Sequence, residues 1–454
     1  MVGDGWHRAA AVGCETRVVR FLASEVAAAV GGELLGDDVR LDGVTQDSRS
    51  VTPSCLFVPL VADRDGHDFI EAAVRAGAGA HLTAASPGPG TAIRVADTGT
   101  ALVALAAAAR RSLNGTVVGI TGSVGKTSVK DMTAAVVARS GPVHASPQSF
   151  NNEIGVPLTL VNAPDGASTV VVELGARHEG DIAALCEVVL PDIGVVTTVA
   201  AAHTGVLGPV DVVARTKGEL LDRLPAHGCA VLNADVPEVM AQAGRTRSRL
   251  LTFGKAGEVR ARAVVLDDGL CPSFRLESPW GRTDVRLSAR GAHMVDNALA
   301  AAAVGLVLDV SLEDVAVGLG EARLSPGRMG LSTAPSGLVV LNDAYNANPA
   351  SMEAGLAALA ALPVGGRRLA VLGLMAELGA GEAVAHRQIA ALASATGIEV
   401  VAVGTDLYGV EALAGVDEAL ALIGGMGLGE GDAVLVKGSL VAGLQELAER
   451  LADG

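Results

Sequence analysis

Aromatic side chains make up only 2% of the 454 residues, cysteine occurs five times, and basic residues are outnumbered, 34 Lys and Arg against 50 Asp and Glu. Each shortage excludes something. The net charge of −16 and a pI near 5.0 argue against a nucleic-acid surface, which needs a basic patch. They leave nucleotides open, because a few local donors hold a phosphate in an acidic protein. The five cysteines (Cys14, Cys55, Cys186, Cys229, Cys271) are odd in number and widely spaced, with neither metal-site pairing nor a disulfide framework. A reducing cytoplasm is the compartment this predicts. Few aromatics beside abundant Ala, Gly and Val mark a GC-rich coding sequence, which bears on origin and not on function. Half of the chain is hydrophobic and the mean hydropathy is +0.43. Even so, no unbroken apolar run reaches the roughly 18 residues of a membrane span. The longest, such as Ala298–Leu308, are short and alanine-rich. The opening "MVGDGWHRAA" carries Asp4 before any apolar stretch and is not expected to be a signal peptide.

A chain of this length is too long for one core and predicts two to four domains. Three blocks emerge: 1–113, 114–331 and 332–454. The first has a helical pattern at Arg20–Val30 and ends in an alanine helix, Thr100–Arg111, before Asn114-Gly115. The second alternates apolar strands (Thr116–Thr121, 168–175, 193–200, 229–235) with helices, which predicts a mostly parallel sheet. "VRARAVVL" and "SFRLES" then read as an antiparallel appendage, and Val295–Leu308 as a helix. The third block has strands in "GLVVLNDAY", "RRLAVLGLM", "EVVAVG" and "DAVLVKGS", with helices at Ala350–Leu362 and Glu382–Thr396, as in a second doubly wound domain. Ser325-Pro326-Gly327 is the expected hinge. The fold class is therefore α/β.

"TVVGITGSVGKTSVKDM" (116–132) has the form of a phosphate loop between a strand and a helix. The usual glycine five residues before the Gly-Lys pair is Ile120; Gly122 stands three before Gly125 instead. Gly122 and Gly125 permit backbone angles that side chains forbid. The helix that follows is signalled by Val129, Met132 and Val136 at helical spacing, with Gly141-Pro142 to stop it. Its N-terminus is an anion site. Lys126 reaches β- and γ-phosphates, and the Thr127 hydroxyl suits Mg²⁺.

Further candidates follow along the chain. Glu173 ends an apolar strand, where a carboxylate suits a cation at the sheet edge. His203 follows another strand end; alone, it reads more readily as a structural histidine than as a ligand. Lys217, in "TKGELLDRLP", reads by itself as a solvated lysine at a helix start. Arg328 follows the 325–327 turn. Asp343, Tyr345, Asn346 and Asn348 cluster at a strand end, and Asn348 before Pro349 has the form of an N-cap.

"TGSVGKTS" resembles the T-G-x-x-G-K-[ST] loop of the Mur ligase superfamily, the ATP-dependent amide-forming ligases of bacterial cell-wall assembly. The likeness runs from about Val18 to the end. It implies a central ATP-binding P-loop domain with a small antiparallel appendage, a C-terminal Rossmann-like domain and an N-terminal α/β substrate domain. By resemblance, Gly122, Ser123, Gly125, Lys126, Thr127 and Ser128 hold ATP, with Asn297 in "GAHMVDNALAAAA" and Arg328 in "SPGRMG" on the nucleotide. Asp343 and Asn346 lie on its ribose and adenine side. Thr127, Glu173, His203 and Lys217 surround two Mg²⁺ ions, Lys217 as a carbamate formed with CO₂. Lys126, His203, Lys217 and Arg328 are the implied catalytic set.

"SFNNEIGVPLTL", "AYNANPASM", "MAELG", "DSRSVTPSCLFVPL" and "DGHDF" resemble the branch that joins D-alanyl-D-alanine to a UDP-muramoyl-tripeptide. That resemblance places Asp47, Ser48 and Arg49 by the uridine and Asn151 and Asn152 nearer the sugar and peptide. It implies a UDP-sugar-peptide and a dipeptide or amino-acid amine as partners, no nucleic acid, no membrane insertion and a cytoplasmic monomer. Three positions depart from the branch: Leu374 stands where an acid is usual, Leu440 where Arg is usual, and Met294 where Asn is usual. Either Leu374 and Leu440 replace a charged pair by an apolar contact, or the amine specificity differs. A paralogous ligase with another amine or acid, a nucleotide-binding regulator without catalysis, and a simple P-loop ATPase or kinase are the alternatives.

Overall fold

The computed structural model describes residues 20–200 and 204–453. Two units divide the chain: one runs to Gly115 and takes in Pro157–Ala167, the other holds Thr116–Val156 and Ser168 onward. The first break lies between Gly115 and Thr116. The return of Pro157–Ala167 to the first unit was not legible, and a side chain explains it. Asn162 behaves as a surrogate strand, its Oδ1 accepting from Val44 N and its Nδ2 donating to Val44 O, both at 2.9 Å. The first unit is built on a five-stranded sheet in the order Glu33–Leu35, Thr91–Arg94, Ala80–Thr83, Leu56–Phe57, Val44–Thr45. Only the first pairing is antiparallel. The alanine helix spans Thr98–Ser112, capped by Asp97, whose carboxylate accepts from Thr100 N at 2.6 Å.

The second unit carries two six-stranded sheets. The sheet around the phosphate loop is all parallel, in the order Arg249–Phe253, Cys229–Asn233, Ile193–Val196, Thr116–Thr121, Thr169–Glu173, Val143–Ala145. Its four inner strands are short apolar runs buried on both faces, as parallel strands covered by helices must be. Strand order reverses around Thr116–Thr121, and such a switch point opens a crevice at the carboxyl edge. The helix after the loop, Lys126–Val137, buries Val129, Met132 and Val136 as the spacing predicted.

The appendage has three antiparallel strands rather than two, because the hairpin at Ser278–Gly281 returns the chain through Gly281–Arg286. The other large sheet follows the order Gly330–Thr333, Val339–Asn342, Ala433–Lys437, Arg368–Leu372, Glu399–Val403, Ala412–Leu413, with the first pair antiparallel and the rest parallel. Pro349–Ala361 packs Met352, Leu356 and Leu359 onto it. One apolar cluster runs from Val118 and Ile120 through Ala298–Ala303 to Leu341 and Met352, so both sheets share a continuous core. Among the described residues no helix is long and apolar enough to cross a membrane.

Candidate active site

The strand Thr116–Thr121 ends in a turn that only glycine fits. Gly122 sits at φ +147°, and a Cβ there would lie 2.0 Å from Thr197 Oγ1; Gly125, at φ +87°, would meet Asn297 Oδ1 at 2.5 Å. The Thr197 hydroxyl donates to Val124 O at 2.6 Å and fixes the turn from the neighbouring strand. Lys126 curls back over the loop, its Nζ donating to Gly122 O at 2.8 Å. Burial lowers its pKa, the charge of Glu173 opposes that fall, and the Arg328 guanidinium adds to it.

Glu173 closes its strand at 1% exposure. Asn151 Nδ2 donates to its Oε1 at 2.7 Å, whereas Oε2 is buried with no partner among the described residues. An unpartnered buried carboxylate oxygen is costly unless a cation meets it. Thr127 Oγ1 accepts from Arg328 at 3.1 Å, and the Arg328 guanidinium lies 4.3 Å above the Tyr345 ring. The Tyr345 and Ser149 hydroxyls are hydrogen-bonded.

Lys217, on the helix Val210–Asp222, is 2% exposed. Burial first, and then the positive charge of Lys126, push its pKa down from 10.5 to about 7; Glu219 and Asp181 oppose the fall. It is thus not the solvated lysine its local sequence suggests. The charge of Lys126 is felt by Lys217, and Lys126 in turn feels those of Glu173 and Arg328, so Lys126 is the side chain that links the other three.

Other expected residues are engaged differently. Ser123 donates its amide to Thr198 O at 2.8 Å, and its hydroxyl exchanges hydrogen bonds with the backbone of Ala200. Both groups therefore tie the loop to the next strand end instead of facing a phosphate. Ser128 is buried on the loop helix. Asn152 Oδ1 accepts from Gly155 N at 2.9 Å, which caps the helix Gly155–Val161. Asn297 faces Gly125 and donates to Met294 Sδ at 3.3 Å, so the unusual methionine takes up this amide.

Asp343 binds Lys437 Nζ at 2.5 Å and Met329 N at 3.3 Å; the same Nζ donates to Asn346 O at 3.0 Å. Asn346 Oδ1 accepts from Ala347 N. Asn348 caps its helix, accepting from Ser351 N at 3.0 Å. On the first unit, Asp47 accepts Arg49 Nε and Nη2 at 2.9 and 2.8 Å, which lowers the Asp47 pKa, while Ser48 sits in the turn between them. His203 and Cys14 lie outside the described residues.

Sequence reasoning missed Lys437 and Lys130. Lys437 is paired with a residue 94 positions earlier, and no local pattern signals that. Leu440 and Val441 are 57% and 78% exposed, so Leu440 does not form the buried apolar replacement contact that was one expectation for it and Leu374.

The hydroxyl of Thr127 and the free oxygen of Glu173 are hard oxygen donors of the kind magnesium takes, with substrate phosphate and water completing its shell. Residues 120–305 match the family description "Mur ligase middle domain", and residues 327–440 match "Mur ligase, glutamate ligase domain". A UDP-N-acetylmuramoyl-tripeptide–D-alanyl-D-alanine ligase of Mycobacterium tuberculosis is 39% identical, with 96% of this chain and 98% of that protein covered.

The chain belongs to the Mur ligase family.

The ligase of the same name from Escherichia coli is 36% identical, with coverage of 95% and 98%. A crystal structure of MurF from Acinetobacter baumannii superposes on this ligase with a TM-score of 0.86 at 28% identity, covering 96% of this chain and 99% of that one. The MurF ligase from Thermotoga maritima in complex with ADP gives 0.75 at 25% identity, with coverage of 90% and 97%. The α/β architecture read from the sequence is the fold of this family.

Proposed function

We propose that this ligase uses ATP to join D-alanyl-D-alanine to UDP-N-acetylmuramoyl-tripeptide, releasing ADP and phosphate, in peptidoglycan precursor synthesis. Relatives matched over 95 to 96% of the chain carry that activity in their names, which supports the substrate pair. A carboxylate does not accept an amine directly, because oxide will not leave. The γ-phosphoryl of ATP therefore passes to the terminal carboxylate of the tripeptide: its bond to the β-phosphate oxygen breaks, and an acyl phosphate and ADP form. The dipeptide amine attacks the acyl carbon, its proton is lost, and the C–O bond to phosphate breaks.

Within this reading, the Gly122–Ser128 loop cradles the nucleotide, Ser123 by holding the loop in shape, with Lys126 and Arg328 beside the phosphates to neutralise charge as it moves. Magnesium, when bound, supplies further positive charge at the same oxygens, with Thr127 and Glu173 holding it. Asn297 borders the loop, and Asp343 and Asn346 stand on the ribose and adenine side, ordered by Lys437. Asp47, Ser48 and Arg49 take the uridine end; Asn151 and Asn152 serve the sugar-peptide side through the loop they order. His203 remains a proposed metal ligand and catalytic residue.

For Lys217, burial supports a carbamate. An amine must be neutral to add CO₂, and a pKa near 7 leaves much of this amine neutral at physiological pH. The addition gives an N-carboxylate and one proton, and so turns an unfavourable buried cation into an anion suited to a second magnesium. A cytoplasmic monomer agrees with soluble nucleotide substrates.

The observation that best supports the chemistry is the buried oxygen of Glu173, without a partner among the described residues and within the electrostatic reach of Lys126 at a P-loop. A phosphate-release assay tests the reading: ADP formation should require the UDP-muramoyl-tripeptide, and full turnover should also require D-alanyl-D-alanine. Turnover with water alone would indicate an ATPase. The exposed Leu440 and Val441 favour one second reading, the same chemistry on a more apolar amine. A panel of amines separates the two.

A further inference from the structure

Lys130 lies one helical turn beyond Lys126 and takes no part in the chemistry above. Its side chain is 2% exposed, a costly place for an ammonium unless all its protons are accepted. All three are. Nζ donates to Ser146 O at 2.7 Å and Gln148 O at 2.5 Å, and pairs with Asp131 Oδ1 at 2.9 Å. Two of these acceptors are main-chain carbonyls of one segment, which leaves the strand Val143–Ala145 and includes Gln148 at φ +46°.

That segment holds Glu173. The Ser146 hydroxyl accepts from Glu173 N at 3.1 Å, Asn151 Nδ2 donates to Glu173 Oε1 at 2.7 Å, and Asn151 O accepts from Gly175 N at 2.7 Å. The strand end and one carboxylate oxygen are thus fixed from a single loop, and the other oxygen, Oε2, is left buried and without a partner among the described residues. The loop is in turn fixed by a buried cation on the helix that carries Lys126 and Thr127.

We propose that Lys130 is a positioning residue: it locks residues 146–151 so that Asn151 turns the free oxygen of Glu173 toward a divalent cation. The proposal rests on the reading of Glu173 as the magnesium carboxylate. It assigns Asn151 to that carboxylate through a contact within hydrogen-bond distance. Partners that orient a metal ligand are worth about 10- to 100-fold in metal affinity. A methionine at 130 fills similar volume but offers no donors, so the Ser146 and Gln148 carbonyls lose this tie to the helix and the loop is free to relax.

The test reads binding without turnover. Mn²⁺ is titrated into the full chain with ADP present and followed by electron paramagnetic resonance. Lys130→Met and Asn151→Ala are each expected to raise the Mn²⁺ dissociation constant about 10-fold or more, while ADP affinity in EDTA stays at the wild-type value. A folded Lys130→Met protein that binds Mn²⁺ as the wild type does, while Glu173→Gln does not, would overturn this inference alone. Wild-type Mn²⁺ affinity in Glu173→Gln would overturn the reading beneath it as well. Should the methionine variant not fold, Asn151→Ala, which leaves the buried ammonium in place, decides the matter by the same criterion.

Discussion

Replacing Lys217 by methionine should stabilise this protein at neutral pH while disabling it. The side chain is 2% exposed. Burial and the charge of Lys126 bring its pKa from 10.5 to about 7. In the unfolded chain the lysine keeps its ordinary pKa, so between pH 7 and 10.5 the unfolded state binds one proton more than the folded state, and stability must rise with pH. Below about pH 7 the cost of holding the ammonium is fully present. At about 1.36 kcal/mol per pKa unit it is on the order of 5 kcal/mol. By pH 9 more than half of it has gone.

Lys217→Met removes the titrating group and keeps most of the volume. The measurement is urea unfolding of both proteins in CO₂-free buffer at pH 7, 8 and 9. The variant should be the more stable at pH 7 by several kcal/mol, and the gap should shrink by about 1.4 kcal/mol per pH unit as the wild type gains. Bicarbonate should stabilise only the wild type, since it alone can form the carbamate. A gap that does not change with pH would refute the electrostatic reasoning, and a variant with undiminished turnover would remove the proposed role of Lys217.

Gly122→Ala forces a Cβ to within 2.0 Å of Thr197 Oγ1 at a φ of +147°, so ADP affinity measured by calorimetry should fall below detection. Wild-type affinity would mean that the turn is not the nucleotide cradle. Asn348→Ala removes only the helix cap and should cost about 1 kcal/mol in unfolding experiments, with the KM for ATP unchanged; a large rise in that KM would assign Asn348 to the nucleotide. Leu440→Arg places a cation where 57% of the side chain faces solvent, so it should leave stability within about 0.5 kcal/mol. It should lower the KM for D-alanyl-D-alanine, read in the phosphate assay, through its attraction for the dipeptide carboxylate. An unchanged KM would remove residue 440 from amine recognition.

Local chemistry was legible in this sequence and distant pairing was not. Thr116–Thr121 announced itself as a buried strand, Gly122 and Gly125 as a turn, and Val129, Met132 and Val136 as a helix face, because each signal lies within one or two turns of chain. Glu173 was legible for the same reason, as a carboxylate ending an apolar run. Asn348 before Pro349 spelled out a helix start. Lys130 offered no such pattern, because its acceptors lie 16 and 18 residues away in a loop without periodicity. Lys437 pairs with Asp343 across 94 residues and looked like any lysine after a strand. Asn162 takes a strand's place by hydrogen bonding Val44 at a separation of 118, so the residues around it joined a unit that their position in the chain does not suggest. The sequence of Lys217 suggested solvation because burial is a property of the packed helix and sheet, not of the lysine's neighbours in the chain.

The central claim is that an acid is energised by phosphorylation before nitrogen attacks it. Oxygen tracing tests this directly: UDP-muramoyl-tripeptide carrying ¹⁸O in its terminal carboxylate is turned over with ATP and D-alanyl-D-alanine, and the released phosphate is weighed by mass spectrometry. The account predicts one ¹⁸O atom in each phosphate formed, transferred when the acyl phosphate C–O bond breaks. Unlabelled phosphate beside labelled peptide product would contradict it.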